Sequence, residues 1–181
     1  EGLFRYFAGL VERIGDDRLR IMLYHIPQVA GVGFPVDLVA RLHTEFPEVV
    51  VAIKDSSGDW ANTGALFCIE GLTVYPGAEL PLLEALDLGG PGCITATANV
   101  NAGPVAEVIR LYGSGDRQAT EAAMVDVRAY RVVMQEYPAI PTMKRLLALR
   151  LDDPTWATVR PPFLPADEAA GIRLEERLAA L

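Results

Sequence analysis

The chain has 181 residues, of which 51% are hydrophobic and 22% are charged, a composition typical of a globular domain with a sizeable core. Its net charge of −8 and pI of about 4.8 disfavour nucleic acid and anionic membranes as partners. The sequence has neither an apolar run of membrane-spanning length nor a signal-peptide pattern. Its two cysteines and two histidines lack metal-ligand spacing, so we expect no metal site and a reducing, cytoplasmic compartment.

Strands and helices alternate in the first 112 residues. Short β-branched runs predict strands, and apolar residues at helical spacing predict helices between them. The predicted strands are at 21–24, 49–54, 72–75 and 92–97. The predicted helices are at 1–14, 35–46, 59–69, 79–88 and 104–112. This alternation predicts parallel βαβ units. Residues 113–181 contain no clear strand, and helices are predicted there at 118–135, 142–149 and 166–181. We therefore expect an α/β domain over 1–112 and a helical extension over 113–181.

The four predicted strands are compatible with two architectures. They are half of an eight-stranded barrel, whereas a four-stranded open sheet would leave long edges exposed. The first helical pattern starts at residue 1, with Glu in place of Met and no strand before it. The residues alone leave open either an open sheet with a helical tail or the C-terminal part of a larger barrel.

Lys54 carries the strongest chemical signal in the sequence. It ends the apolar run 49–53 and is followed by turn residues, which places it at the carboxyl end of a buried parallel strand. Barrel enzymes place their chemistry at that end, and an apolar surrounding favours a neutral amine that can attack a carbonyl. The alternative is a solvated strand end whose aliphatic stem covers apolar surface.

Tyr24 ends the preceding predicted strand. It has the same parity as Met22, and Lys54 has the same parity as Ala52, so both functional groups converge if these sets face one interior. A tyrosine hydroxyl can relay a proton to a carbinolamine or a substrate hydroxyl. By itself Tyr24 could equally be an ordinary strand residue, and the pair is more specific than either member.

Three segments occur in order at the spacing of one enzyme family. They are 24–27 (Tyr-His-Ile-Pro), 53–59 (Ile-Lys-Asp-Ser-Ser-Gly-Asp) and 92–100 (Gly-Cys-Ile-Thr-Ala-Thr-Ala-Asn-Val). With them the chain resembles the dihydrodipicolinate synthase/N-acetylneuraminate lyase family of class I aldolases, and the resemblance extends through the C-terminal helices. It implies a (β/α)8 TIM barrel, here strands 5 to 8, and a homo-oligomer, usually a tetramer.

The resemblance also implies roles for particular residues. Lys54 matches the family's Schiff-base lysine and Tyr24 its catalytic tyrosine, while Gly77 matches a glycine lining the substrate site and Ile94 an apolar residue beside the lysine. No cofactor is implied, and the expected partners are a 2-keto acid and an aldehyde. The family's carboxylate-binding Thr-Thr segment and second tyrosine precede the region seen here. We therefore expect residue 1 to follow the fourth strand of a family barrel.

Two departures from the family pattern bear on the substrate. Val29 stands where dihydrodipicolinate synthases usually carry an arginine, and no Lys or Arg occurs at 21–40 or 55–109. Glu79 matches an acidic hydroxyl-binding residue of sialic-acid lyases, but Leu80 replaces a second one. The leading prediction is a Schiff-base aldolase or lyase that joins pyruvate to an aldehyde, or cleaves a 2-keto-3-deoxy sugar acid. The alternatives are 4-hydroxy-tetrahydrodipicolinate synthase and a non-catalytic barrel serving as a binding or regulatory module.

Other polar residues near the predicted mouth carry weaker signals. The polar residues after Lys54, at 55–57 and 59, are expected to cap the next helix, with direct substrate contact as the alternative. Thr97 is expected either to bond neighbouring loops or to contact the substrate. His25 is expected to pack or form a hydrogen bond near the mouth.

Overall fold

The computed structural model describes all 181 residues, and its backbone divides into two compact units, Glu1–Ile94 and Thr95–Leu181. The sequence predicts a different boundary, at residue 112, between a barrel domain and a helical extension. That boundary stays a prediction. No helix combines the length and apolar character that a membrane span requires.

The first unit is a parallel sheet with helices between its strands. The strands are β1 (Ile21–His25), β2 (Val50–Asp55) and β3 (Thr73–Pro76), adjacent in that order. The helices are α1 (Gly2–Ile14), α2 (Pro27–Ala30), α3 (Val36–Glu45), α4 (Trp60–Leu66) and α5 (Leu82–Asp87). Strand and helix side chains share one core, made by Leu23, Val39, Leu42, Val50, Ile53, Leu66, Leu72 and Val74. The predicted parallel βαβ order is therefore confirmed for three strands.

The fourth predicted strand, at 92–97, does not form. Its only ladder-like bond runs from the Ile94 N–H to the Pro76 carbonyl, at 3.0 Å. Pro76 has no N–H to return a second bond, and Gly92 has a φ of 153°, outside the range of a strand. The prediction of a strand here was wrong because proline and glycine interrupt a run whose composition is otherwise strand-like.

Two helices in this unit differ from their predicted bounds. The helix predicted from residue 79 begins only at Leu82, because proline at 81 disfavours helical backbone at the residue before it. The helix predicted to reach 69 ends at Leu66 and continues as tighter turns, in which Cys68 and Ile69 bond three residues back. The short helix α2 was not predicted at all, because Pro27 was taken only as a strand stop although proline also suits a first helical turn.

The second unit is helical, as predicted. It contains α6 (Ala98–Ser114), α7 (Arg117–Gln135), α8 (Ala139–Arg150), a 3₁₀ turn (Pro154–Ala157) and α9 (Glu168–Ala179). Helices α7, α8 and α9 share a core that includes Tyr130, Leu146 and Leu174. Helix α6 begins six residues before the predicted start at Pro104, and it is kinked at Asn101, whose φ and ψ are −145° and 37°.

Candidate active site

Lys54 and Tyr24 lie side by side at the carboxyl end of the sheet. Each is the penultimate residue of its strand, and the two are partners in the parallel register of β1 and β2. The Lys54 Nζ atom donates to the Tyr24 hydroxyl oxygen at 3.1 Å and lies 4.3 Å from the centre of the Tyr24 ring. The convergence expected from strand parity is therefore observed, with the amine against the phenol.

The pKa of the Tyr24 hydroxyl is shifted by its surroundings. Hydrogen bonds from Ser56 and then from Lys54 lower the pKa of Tyr24 below its usual value of 10.0, because both stabilise the phenolate. The Tyr24 side chain stays 45% exposed in this chain. The site thus holds an amine and a phenol in contact, and the phenol has a pKa below that of a free tyrosine.

Gly77 gives Ser56 its space. A Cβ atom at position 77 would lie 2.0 Å from the Ser56 Oγ atom and 2.8 Å from the Ser56 Cα atom, so no side chain fits there unless the loop moves. The Gly77 N–H donates to the Asp55 carbonyl at 2.6 Å and holds the two segments together. A glycine at 77 is therefore required by the close approach of the loop that follows Lys54.

The Asp55 side chain stabilises the loop that follows Lys54. Its buried carboxylate accepts hydrogen bonds from the Ser57 N–H at 2.8 Å, from Asn62 at 2.9 Å and from the Thr63 hydroxyl at 2.8 Å. Burial raises the pKa of Asp55, but these hydrogen bonds outweigh burial and lower it below its usual value. Asp59 caps α4 by accepting from the Ala61 N–H, so the predicted capping is confirmed for Asp59.

The sequence did not reveal an effect of Ser56 on Tyr24. Ser56 was predicted to cap a helix, and hydrogen bonding from Ser56 is the first cause of the lowered pKa of Tyr24. Gln28, in α2, was also missed; its amide donates to the Ser56 carbonyl at 2.7 Å. The position of Ser56 could have indicated a place at the site. It comes two residues after Lys54 at the carboxyl end of a strand, where polar residues of several βα units meet.

His25 lies beside the mouth with a structural role. It is buried, and its Nδ1 atom accepts a hydrogen bond from the Phe34 N–H at 2.8 Å, which leaves Nε2 to carry the proton of a neutral ring. A Cβ atom at Gly33 would lie 2.7 Å from the His25 Cε1 atom, so that glycine is required by the close packing of the ring. His25 therefore packs and bonds as predicted.

The remaining predicted site residues lie at different depths. Ile94 is half-buried and donates its N–H to Pro76. Glu79 is completely buried. Burial of the Cys93 thiol, and second the nearby charge of Glu79, raise the pKa of Cys93 to about 12, so this thiol is a poor nucleophile. Thr97 belongs to the second unit, where its hydroxyl lies 2.9 Å from that of Thr95. Substrate binding by these residues stays a prediction.

The fold is that of part of a (β/α)8 barrel followed by C-terminal helices, as the solved structures it matches show. The sequence model of the dihydrodipicolinate synthetase family matches residues 1–181, and the chain belongs to that family. The resemblance noted from the sequence motifs is thereby confirmed.

Relatives and a solved structure agree on this family. An uncharacterized DapA-like lyase of Chloroflexus aurantiacus is 31% identical in an alignment that covers 99% of this chain and 60% of that protein. A 4-hydroxy-tetrahydrodipicolinate synthase of Thermus thermophilus is 32% identical, covering 100% of this chain and 60% of that protein. The crystal structure of dihydrodipicolinate synthase from Agrobacterium tumefaciens matches with a TM-score of 0.81 and 30% identity, over 99% of this chain and 60% of that one. The chain thus spans about 60% of the length of these relatives.

Proposed function

We propose that the chain belongs to a Schiff-base class I aldolase or lyase, which joins pyruvate to an aldehyde or cleaves a 2-keto-3-deoxy sugar acid to pyruvate. The observation that carries the proposal is the 3.1 Å contact between the Lys54 amine and the Tyr24 phenol at the carboxyl ends of adjacent parallel strands. Membership of a family whose curated relatives are named as a lyase and a synthase supports it.

Lys54 is the proposed nucleophile. The amine, in its deprotonated form, attacks the keto carbon and a carbon–nitrogen bond forms. The keto oxygen takes one proton from the amine and one from solvent and leaves as water, and the nitrogen keeps its second proton. The resulting iminium withdraws electrons from the neighbouring methyl group, which loses a proton to give an enamine.

Tyr24 is the proposed proton relay. When the enamine carbon bonds to the aldehyde carbon, the aldehyde oxygen becomes an alkoxide and takes the phenol proton; in cleavage the phenolate takes that proton back. The lowered pKa of Tyr24 suits both directions because it narrows the energy gap between phenol and phenolate. Water then releases the product from Lys54 by reversing imine formation.

The substrate site and the assembly are further parts of the proposal. Gly77 and Ile94 are proposed to line the site beside Lys54, with Glu79 as a candidate hydroxyl-binding residue. Contact of Thr97 with the substrate remains a prediction from the sequence, beside its alternative of bonding neighbouring loops. We propose a cytoplasmic homo-oligomer, a tetramer by family resemblance, that needs no cofactor and acts on a 2-keto acid and an aldehyde.

The second candidate is 4-hydroxy-tetrahydrodipicolinate synthase, the name of the relative from Thermus thermophilus. The residue that disfavours it is Val29, which lies in α2 with a 76% exposed side chain where the resemblance expects an arginine. An apolar side chain there cannot pair with a second substrate carboxylate.

Deuterium exchange at the methyl group of pyruvate tests the proposal without knowledge of the aldehyde. In deuterated water the complete protein should exchange the methyl protons through the enamine, as followed by proton NMR. The variant Lys54→Met should abolish enzymatic exchange, whereas Lys144→Met, at the only other lysine of the chain, should retain it. Exchange that survives in Lys54→Met, or is absent from the unaltered protein, would overturn the proposal.

A further inference from the structure

We propose that the second unit binds a small monocarboxylate with an apolar body, in a cavity between helices α8 and α9. This α8–α9 cavity has a volume of about 480 Å³, within the range of about 300–1,000 Å³ that is usual for small-molecule sites. All of its lining residues belong to the second unit, and none belongs to the candidate active site around Lys54. The inference therefore does not depend on the proposed aldolase chemistry.

The walls of the α8–α9 cavity are mainly apolar. Pro141 comes from α8, Ala170 and Leu174 come from α9, and Phe163 and Leu164 come from the segment between the 3₁₀ turn and α9. The Phe163 and Leu164 side chains are 44% and 82% exposed. Large apolar side chains left exposed beside a cavity are typical of a binding surface. An apolar ligand body would therefore cover surface that this chain leaves in water.

Arg145 is the only charged residue that lines the cavity. Its side chain is 14% exposed, and its Nε atom donates to the Ala166 carbonyl at 3.0 Å. The Nη1 atom lies 3.6 Å from the carboxylate of Glu168, which is too far for a hydrogen bond and belongs to a 69% exposed side chain. The outer nitrogens of a guanidinium form a fork that matches a carboxylate. A lone cation among apolar walls therefore favours a ligand that combines a carboxylate with an apolar body.

Gly171 determines the course of the Arg145 side chain. A Cβ atom at position 171 would lie 2.5 Å from the Arg145 Cγ atom and 3.1 Å from its Cδ atom, so the arginine crosses α9 where glycine leaves room. The bond from Nε to the Ala166 carbonyl holds the guanidinium beyond that crossing. A cation held at both its stem and its Nε atom loses little conformational entropy when a carboxylate binds. The structure thus preorganises the charge in the cavity.

Calorimetric titration of the complete protein with 3-phenylpropanoate tests the proposal, and we expect saturable binding. The uncharged analogue 3-phenylpropanamide lacks the carboxylate, and acetate lacks the apolar body. Each should bind at least about 10-fold more weakly than 3-phenylpropanoate. Equal binding of the amide would overturn the proposal. So would the absence of binding by 3-phenylpropanoate, as when a second copy of the chain covers the cavity.

Two arginine variants locate the site. Arg145→Met should weaken binding of 3-phenylpropanoate by about 10-fold or more, because it removes the charged donor. Arg173→Met is the matched control; it removes a positive charge from an exposed residue of α9 that does not line the cavity, and should bind as the unaltered protein does. Glu168→Gln should tighten binding by up to about 5-fold, because it removes a carboxylate that competes for the guanidinium. Equal losses in the two arginine variants, or weaker binding in Glu168→Gln, would contradict the proposal.

A space-filling variant keeps Arg145 in place. Ala170→Leu fills part of the cavity and retains the backbone N–H that Asp167 caps, so the helix should form while binding of 3-phenylpropanoate is lost. Lys54→Met should bind the probe normally, because Lys54 does not line this cavity. Unchanged binding in Ala170→Leu, or loss of binding in Lys54→Met, would overturn the assignment. Failure of the proposed function would instead appear as absent pyruvate exchange in the unaltered protein, which 3-phenylpropanoate binding does not affect.

Discussion

Two tyrosines are candidates for the acid or base beside the Lys54 amine. Tyr24 and Tyr75 both stand opposite Lys54 in the strand register, on β1 and β3 respectively. Only Tyr24 is hydrogen-bonded to the Lys54 amine. Tyr24→Phe should therefore lower turnover by about 10²–10⁴-fold, the usual cost of losing a positioned acid or base.

Tyr75→Phe is the matched control for that experiment. It removes a phenol oxygen from the same cross-strand row and should leave turnover close to that of the unaltered protein. Steady-state kinetics on both variants, with circular dichroism to confirm the fold, make the comparison. Equal losses in the two variants would reduce Tyr24 to one of several polar groups around the amine.

Substrate choice is a second prediction at this scale. Because Val29 is exposed and apolar, aspartate semialdehyde should be a poor partner for pyruvate compared with uncharged aldehydes. Val29→Arg should improve its use by about 10-fold to 100-fold, since a hydrogen bond to a charged group contributes about 1.5–3 kcal/mol. A side-by-side assay of kcat/KM decides the matter. Efficient condensation by the unaltered protein would favour the synthase instead.

The residues of the candidate site differed in how far they could be predicted. Lys54 and Tyr24 were accessible from sequence because strand parity and strand-end position fix where a side chain points. The hydrogen bonds of the Ser56 backbone were not, because their partners, His25 and Gln28, lie about 30 residues earlier in the sequence. The burial of Glu79 could not be predicted from the sequence either, because it depends on the path of the turn before α5.

At the scale of elements, the kink in α6 has an identifiable cause and a specific compensation. Pro104 has no N–H for the Val100 carbonyl four residues earlier, which would be its helical partner. Two side chains supply the missing donors: Arg150 donates to that carbonyl through Nη1, and the Tyr130 hydroxyl approaches it at 3.4 Å. Arg150 is itself held by a bidentate pair with Glu175, at 2.8 and 2.9 Å.

Arg150→Met should therefore destabilise the second unit by about 1–3 kcal/mol, the cost of leaving a backbone acceptor without its charged donor. Arg177→Met is the matched control; it breaks a bidentate pair with Glu136 that is exposed and bonds no backbone carbonyl, so its effect should be much smaller. Urea unfolding midpoints measure both variants.

A double substitution tests the stated cause. Pro104→Ala restores an N–H that can bond the Val100 carbonyl, so it should recover part of the stability lost in Arg150→Met. Additive effects of the two substitutions would show that Arg150 acts through Glu175 alone and not through the kink.

The elements themselves were predictable where the pattern was long and uninterrupted. Helices α1 and α7 and the three strands were predicted within one or two residues of their ends. The segment at 92–97 and the start of α5 were not, because each was decided by a proline that removes a donor or restricts its neighbour. Helix α6 extended beyond its predicted start because side chains of α7 and α8 stabilise a kink that proline would otherwise make costly.

At the scale of the whole molecule, the sheet of the first unit has outer edges that carry unpaired backbone. Strand β1 pairs only with β2, and the outer side of β3 receives a single bond, from Ile94. Because unpaired strand edges associate or admit water, residues 1–181 produced alone should self-associate or show fast hydrogen exchange in β1. Light scattering and exchange mass spectrometry test this. A monomer that unfolds cooperatively, with β1 amides protected, would contradict it.

Borohydride trapping detects directly whether Lys54 forms a Schiff base with pyruvate. Reduction in the presence of pyruvate should attach a reduced pyruvate imine to the peptide that contains Lys54, as located by mass spectrometry. Lys144 serves as an internal control because it is the only other lysine of the chain. The account predicts label on Lys54, none on Lys144, and none at residue 54 in Lys54→Arg. Label on Lys144 instead, or no label on Lys54 in a protein that turns over pyruvate, would contradict it.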